Sequence, residues 1–195
     1  NNQGAEIAGG ELLLFLNNDV EPFEPGWLRE LVACHRASGA GAVGATLVCP
    51  DSEHGRDFAH GYGVQHRGLA FAQGDGSRLV PVLRGWEEDP LDERLGEDVE
   101  CDAIAAACLL IASPTHRQVG GFTHGFLYGC EDVDLCLKLR AASLSSVCSG
   151  RSIAVHRPVS TRRTIPHEEA GRTKQANLEL LWRRWGPRLD AQRWD

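Results

Sequence analysis

Residues 11–22, ELLLFLNNDVEP, join an apolar run to a polar, acidic one. Leu12, Leu13, Leu14, Phe15 and Leu16 are unbroken by any polar residue. A run of this length, too short for a helix, suits a strand buried on both faces of a parallel sheet. It stops at Asn17-Asn18-Asp19, with Glu21 close behind. Ligands of open α/β sheets collect just beyond the carboxyl ends of the strands. A lone carboxylate flanked by carboxamides at such a place can hold a hard divalent cation through oxygen. The same residues are also ordinary turn formers.

Upstream, Gly4 to Ala8 can form a helix ending at Gly9-Gly10. Downstream, Pro25 suits a first helical turn, and Trp27, Leu28, Leu31, Val32 and His35 give a helical stripe that Gly39 can stop. Ala42 to Cys49 reads as the next strand, ended by Pro50-Asp51. Residues 51–100 are polar, Gly-rich and least regular, with short strands expected near 62–65 and 79–83. Their His54, His60 and His66 fit no metal-ligand spacing, and a long excursion over one end of a sheet suits them better.

Asp102 to Ala112 reads as a small-residue strand, after which Ser113-Pro114 open a short helix that Gly120-Gly121 close. Glu131 to Arg140 is acidic at its start and basic at its end, the polarity that suits a helix dipole. Ser145–Ser149 and Ser152–His156 read as two strands, 157–172 as a basic segment, and 173–185 as a last helix before Gly186-Pro187.

The chain has 195 residues, enough for one α/β domain, with 42% hydrophobic and 24% charged residues. A net charge of −7 argues against nucleic acid or anionic lipid as a general partner, so a polyanionic ligand needs a local cation or metal. No apolar stretch approaches the ~20 residues that span a bilayer. The seven cysteines form no C-x-x-C pair and sit mostly among apolar residues, which suits reduced, buried thiols rather than zinc. The absence of methionine and the opening NNQGAEIAGG suggest an excerpt of a longer polypeptide.

Two further places carry chemistry. Glu131 and Asp132 open a helix, where the dipole favours ionised carboxylates and one of them can accept a proton from a hydroxyl. Acids in a first turn are also plain helix starters. His156 ends the apolar run Ile153-Ala154-Val155, where an imidazole can complete a metal site begun by Asp19. Arg157, Arg162 and Arg163 reverse the acidic background locally, as a phosphate-bearing ligand requires.

The order of these blocks resembles the family 2 glycosyltransferases of the GT-A fold, in particular the bacterial rhamnosyltransferase-like branch. Leu16-Asn17-Asn18-Asp19-Val20-Glu21-Pro22 with Gly26-Trp27-Leu28 matches that branch's L-N-N-D-V-x-P and G-W-L. Gly120 to Leu139 matches its G-G-F…E-D-V-D-L-C block, and Val155-His156 with Ser160 its closing strand. Asn177 and Arg184-Trp185-Gly186 look like its C-terminal helix. The likeness covers nearly the whole chain. It departs at Phe122-Thr123-His124, where F-D-E is usual, and at Lys138, where Arg is common.

The resemblance implies a three-layer α/β/α GT-A sandwich with a mixed, mainly parallel sheet. The expected organisation is a single domain over 1–195, with final helices from about residue 168. Asp19 and His156 would be metal ligands for Mg²⁺ or Mn²⁺, and Asn17, Asn18, Arg157 and Arg162 would contact the donor. Asp132 would be the general base, with Glu131 beside it, and residues 51–100 with Ala105 to Cys108 would border the acceptor. The implied activity is inverting transfer of a hexosyl or rhamnosyl group from a nucleotide-diphospho-sugar to a glycan or lipid-linked saccharide. It belongs in the cytoplasm, peripheral to the inner membrane surface. The alternative is a non-catalytic carbohydrate- or nucleotide-binding module derived from such an enzyme. A metal-dependent phosphohydrolase lacks a second strand-end nucleophile. The unit that binds the nucleotide base would lie upstream of Asn1, leaving an open sheet edge and a tendency to self-associate.

Overall fold

The computed structural model describes residues 1–54, 61–74, 78–86, 88, 93–127, 129–157 and 167–190. Its elements begin with α1 (Asn2–Ile7), β1 (Leu12–Leu16), β2 (Val20–Pro22), α2 (Trp27–Ser38), β3 (Ala42–Pro50) and α3 (Asp51–His54). The hairpin region holds β4 (Tyr62–His66), β5 (Leu69–Gln73) and β6 (Leu79–Leu83), followed by a 3-10 turn at Glu93–Gly96. The chain closes with β7 (Val99–Cys101), β8 (Cys108–Ala112), α4 (Ser113–Gln118), α5 (Glu131–Ala141), β9 (Ser146–His156) and α6 (His167–Asp190).

The main sheet runs β1-β8-β3-β9-β2, with β4 beside β3 and β7 beside β9. Ala42 to Cys49 of β3 are all buried, so β3 is the strand covered on both faces. β1, where that burial was expected, lies at the edge and buries only Leu13. Its residues are apolar because helical layers lie above and below it, but a neighbour occupies one side only among the described residues. The sheet is mixed, as expected. It is not mainly parallel: only β3–β9 runs parallel, while the other described pairings are antiparallel.

Two layers sandwich the sheet. On one face α2 buries Leu31 and Cys34 against Val43, Ala45, Leu47 and Leu110. On the other, Leu135, Leu137 and Leu139 of α5 and Leu181, Trp185 and Leu189 of α6 pack with Ile104, Leu109 and Ile111. The hairpin β5–β6 stands apart as its own small sheet.

Several boundaries move for local reasons. Pro25 precedes α2 rather than entering it, because Gly26 is the cap at φ +92°. The strand expected from Asp102 begins only at Cys108, because the Ala105 and Ala106 N–H groups donate to side chains instead of a ladder. The two expected strands at 145–156 are one, β9, whose register shifts where Ala45 faces Ser149 and Thr46 faces Ile153. Gly150 sits in that irregularity because a Cβ there would run into the Leu95 and Glu97 carbonyl oxygens.

The final segment is one helix that runs through Pro187. An internal proline costs about 3 kcal/mol. Burying a large apolar side chain gains about 1.5–3 kcal/mol, and Leu181, Trp185 and Leu189 are all buried, so packing outweighs the break. All seven cysteines are free thiols, five of them buried, and burial pushes Cys101, Cys136 and Cys148 up to about 12. At those values they are inert as nucleophiles.

Asp134, fully buried in α5, ties the helical layer together. It accepts hydrogen bonds from Thr123 Oγ1 (2.6 Å), Arg184 Nε (2.7 Å) and Trp185 Nε1 (2.8 Å), with Lys138 Nζ at 3.4 Å. Burial alone would raise its pKa, but these donors together hold it below the usual carboxylate range. Removing one partner of a buried pair costs about 3–5 kcal/mol because the others stay desolvated. Asp134→Ala should therefore lower the unfolding free energy by about 3 kcal/mol in urea denaturation at pH 7. The stabilisation from this depressed carboxyl should also fade on acidification from about pH 4 downward.

Candidate functional site

The site lies at the carboxyl ends of β1, β3 and β9. Beyond β1 the chain turns, with Val20 N–H donating to Asn17 O at 3.2 Å, and re-enters the sheet as β2. β2 was not expected from the sequence, and it is what places Asp19. Val20 pairs with His156 across the ladder, and Arg157 N–H donates to Asp19 O at 2.9 Å. The Asp19 carboxylate oxygen Oδ1 thus lies 3.4 Å from His156 Nε2. Oδ1 is buried and has no hydrogen-bond partner.

A shallow pocket of about 340 Å³ opens here, lined by Asn18, Asp19, Glu21 and Arg157. Arg157 faces Glu21 at 3.5 Å and the Tyr62 hydroxyl at 3.4 Å. Asn17 contributes its backbone, with N–H donating to Ala107 O at 2.9 Å, while its side chain is exposed. Arg162 lies outside the described residues. A cavity of about 360 Å³ lined by Arg84, Asp102 and Arg140 contains none of these residues; the start of β9 at its wall puts it at the opposite end of the sheet.

Asp132 enters from the start of α5. The residue before that helix, Cys130, is held at φ +67°, a conformation costing of order 1–3 kcal/mol for a non-glycine and found mostly at functional sites. Asp132 Oδ1 accepts from Val133 N–H at 2.8 Å and Oδ2 from Ala106 N–H at 3.1 Å. Burial pushes its pKa up to about 6, the neighbouring Glu131 charge adds to the rise, and the backbone donors oppose it. Glu131 Oε2 is buried without a hydrogen-bond partner.

The segment Ala105–Ala107 joins both halves. Ala107 O receives Asn17 N–H, Ala106 N–H serves Asp132, and Ala105 N–H donates to His66 Nε2 at 3.2 Å. His66 is buried and neutral, its pKa lowered to about 4 by burial, partly offset by the Gly68 backbone and lowered further by His156. Gln65 Oε1 lies 2.6 Å from His156 Nδ1. Asp19 and His156 therefore face each other directly, while Asp132 is tied to the same end of the sheet through the Ala105–Ala107 backbone.

The oxygen and imidazole donors of Asp19 and His156 fit a divalent cation. The buried Oδ1 without a hydrogen bond is the observation in favour, since such an atom costs free energy unless something else compensates it. Among the described residues no three His, Cys, Asp or Glu side chains cluster to hold a metal by themselves.

No family model matches this chain. It is 33% identical over 173 residues to the O-antigen biosynthesis protein RfbC of Myxococcus xanthus, covering 87% of this chain and 13% of RfbC. It is 31% identical over 186 residues to the uncharacterized protein y4gI of Sinorhizobium fredii, covering 95% of this chain and 19% of y4gI. The chain thus spans under a fifth of the length of either relative. Among solved structures it resembles GalNAc-T7, determined with UDP, GalNAc and Mn²⁺. The TM-score is 0.58 at 17% identity, over 80% of this chain and 29% of that one. The fold is GT-A-like. In such a doubly covered sheet the strand ends that carry Asp19 and His156 are where ligands are expected.

Gln65, His66 and the Ala105–Ala107 backbone were not among the sequence-derived site residues, although 51–100 and 105–108 were expected to border an acceptor. His66 was visible as a histidine, but only the fold shows that its partner is a backbone N–H.

The Asp132 carboxyl should titrate near pH 6 in a carbonyl-detected NMR experiment, and Glu131→Gln should lower the midpoint by removing a like charge. Because folding raises this pKa, its contribution favours the folded state at low pH and is lost as pH rises through about 6. A midpoint at the ordinary value of about 4 would contradict the burial argument.

Proposed function

We propose that this chain is the metal- and acceptor-binding part of an inverting glycosyltransferase, nearest to family 2 and its rhamnosyltransferase-like branch. It would move a hexosyl or rhamnosyl group from a nucleotide-diphospho-sugar to a hydroxyl of a glycan or lipid-linked saccharide. The observation that carries the reading is that Asp19 Oδ1 faces His156 Nε2 at 3.4 Å at one end of a GT-A-like sheet, with Asp132 held on the Ala106 N–H, one residue from the Ala107 carbonyl that anchors Asn17. The role of RfbC in O-antigen biosynthesis, and the UDP, GalNAc and Mn²⁺ bound to GalNAc-T7, support donor, metal and pathway class.

In this reading Asp19 and His156 hold Mg²⁺ or Mn²⁺, which when bound offsets charge on the diphosphate leaving group. Asn18 lines the same pocket and contacts the donor, with the Asn17 backbone anchoring the turn and Arg157 supplying positive charge. Arg162 is assigned to the donor on sequence grounds alone. Asp132 takes the proton from the acceptor hydroxyl as its oxygen attacks the anomeric carbon opposite the leaving group, which inverts the configuration. A base must be ionised, so transfer should rise as pH passes about 6. Glu131 stands beside Asp132 and accepts a further acceptor hydroxyl.

No helix among the described residues is long and apolar enough to cross a membrane. We place the site on the cytoplasmic side, peripheral to the inner membrane. Among the described residues β1 has a strand on one side only, and Leu16 is 44% exposed; we assign this edge to self-association through an added strand.

Asp132→Asn should abolish sugar transfer from a panel of nucleotide sugars, at least 10²-fold, while leaving donor affinity within a few-fold of the unmodified protein. Unchanged turnover would remove Asp132 from the role of base. Donor binding without turnover in the unmodified protein would favour the non-catalytic binding module. Asp19→Ala should weaken Mn²⁺ and nucleoside diphosphate binding together. Sedimentation velocity should show concentration-dependent dimerisation that a proline at Leu14 suppresses; a monomer at all concentrations would exclude self-association.

A further inference from the structure

β4 is irregular next to the site. Leu47 of β3 faces His66 and Val48 faces Val64, so Gln65 is an extra residue with no partner of its own in the ladder. Such bulges twist a strand locally and re-aim side chains, and they are common beside active sites. Here two consecutive side chains make contacts at the site instead of serving only a regular pleat. His66 holds the Ala105 N–H, and Gln65 reaches past β3 to His156 on β9.

The contact from Gln65 has a chemical consequence. Oε1 of a carboxamide can only accept, so the tautomer of His156 that matches this 2.6 Å contact carries its proton on Nδ1 and donates it to Gln65. In the neutral ring the other nitrogen, Nε2, then bears a lone pair. That nitrogen is the one facing Asp19 Oδ1 at 3.4 Å. Two acceptors face each other there, and Oδ1 is buried with no hydrogen bond to relieve it. Without Gln65, the ring could reverse its tautomer and donate Nε2–H to Asp19, closing the place where a cation would bind.

We propose that Gln65 is a positioning residue that fixes the Nδ1–H tautomer of His156 and so directs the Nε2 lone pair, beside Asp19 Oδ1, toward a divalent cation. This rests on the metal role proposed above for Asp19 and His156. Metal-bound histidines commonly donate their second N–H to such an acceptor, and losing that acceptor costs typically 10–100-fold in affinity.

The test uses the full chain, with Mn²⁺ alone as the probe followed by electron paramagnetic resonance. Nitrogen-detected NMR of the metal-free protein reads the His156 tautomer. Gln65→Leu should weaken Mn²⁺ binding about 10–100-fold and move the proton from Nδ1 to Nε2. Gln65→Glu keeps an acceptor at the same place and should bind Mn²⁺ at least as tightly as the unmodified protein. Mn²⁺ affinity that Asp19→Ala abolishes but Gln65→Leu leaves unchanged would overturn the role of Gln65 alone. Mn²⁺ binding that is absent, or indifferent to Asp19→Ala, would overturn the metal reading beneath it. If Gln65→Leu fails to fold, weaker binding by Gln65→Glu, or an Nε2–H tautomer in the unmodified protein, overturns the proposal.

Discussion

The short ladder between β2 and the end of β9 is the constraint on which the candidate site depends. Three residues, Val20 to Pro22, pair with Ala154 to His156, and the adjoining Arg157 N–H closes on the Asp19 carbonyl. These backbone bonds join segments more than 130 residues apart in sequence. They convert a flexible polar turn into a fixed position for one carboxylate. Each is an ordinary hydrogen bond worth about 0.5–1.5 kcal/mol net, but together they leave Asp19 little choice of neighbour. The turn that precedes them is anchored at its other end by Asn17 on Ala107, so both flanks are held.

The helix α5 shows how environment rather than residue type assigns chemistry. Asp132 and Asp134 lie two positions apart in the same first turns. Asp132 has backbone N–H donors, a neighbouring carboxylate and no cationic side chain among its hydrogen-bond partners, and burial pushes it up to about 6. Asp134 is fully buried, yet Thr123, Trp185 and Arg184 supply it with donors, and it stays below the ordinary range. One carboxyl is poised to exchange a proton near neutrality; the other is a permanently charged tie between α5 and α6. The aromatic and basic residues near the end of α6 thus serve the layer behind the site, with Trp185 buried and its indole N–H spent on Asp134.

Much of the architecture was readable from local pattern. α2, β3, α4 and α5 fall within a residue or two of expectation, because stripe periodicity, caps and dipole-matched charges act over a few positions. The errors share a cause. β1 and β3 are both short apolar runs, and composition does not say which will sit at an edge and which in the middle. Asp102 to Ala107 has the residues of a strand, but the Ile104, Ala105 and Ala106 N–H groups find side-chain acceptors from distant segments. α6 passes Pro187 because three buried side chains beyond and before it outweigh a broken turn.

By itself the amino-acid sequence determined that Asp19 ends an apolar strand, that Glu131 and Asp132 open a helix, and that His156 ends another strand, since each follows from neighbours within a few residues. Only the tertiary structure decided that Asp19 and His156 face each other and that Asp132 is tied to the backbone segment that also anchors Asn17. It also decided that β1 is an edge strand in a largely antiparallel sheet, and that a bulge at Gln65 delivers a partner to His156. The physical reason is range: periodicity and capping are local, whereas strand neighbours, burial and hydrogen-bond partners are chosen between segments more than ninety residues apart, as Gln65 and His156 are.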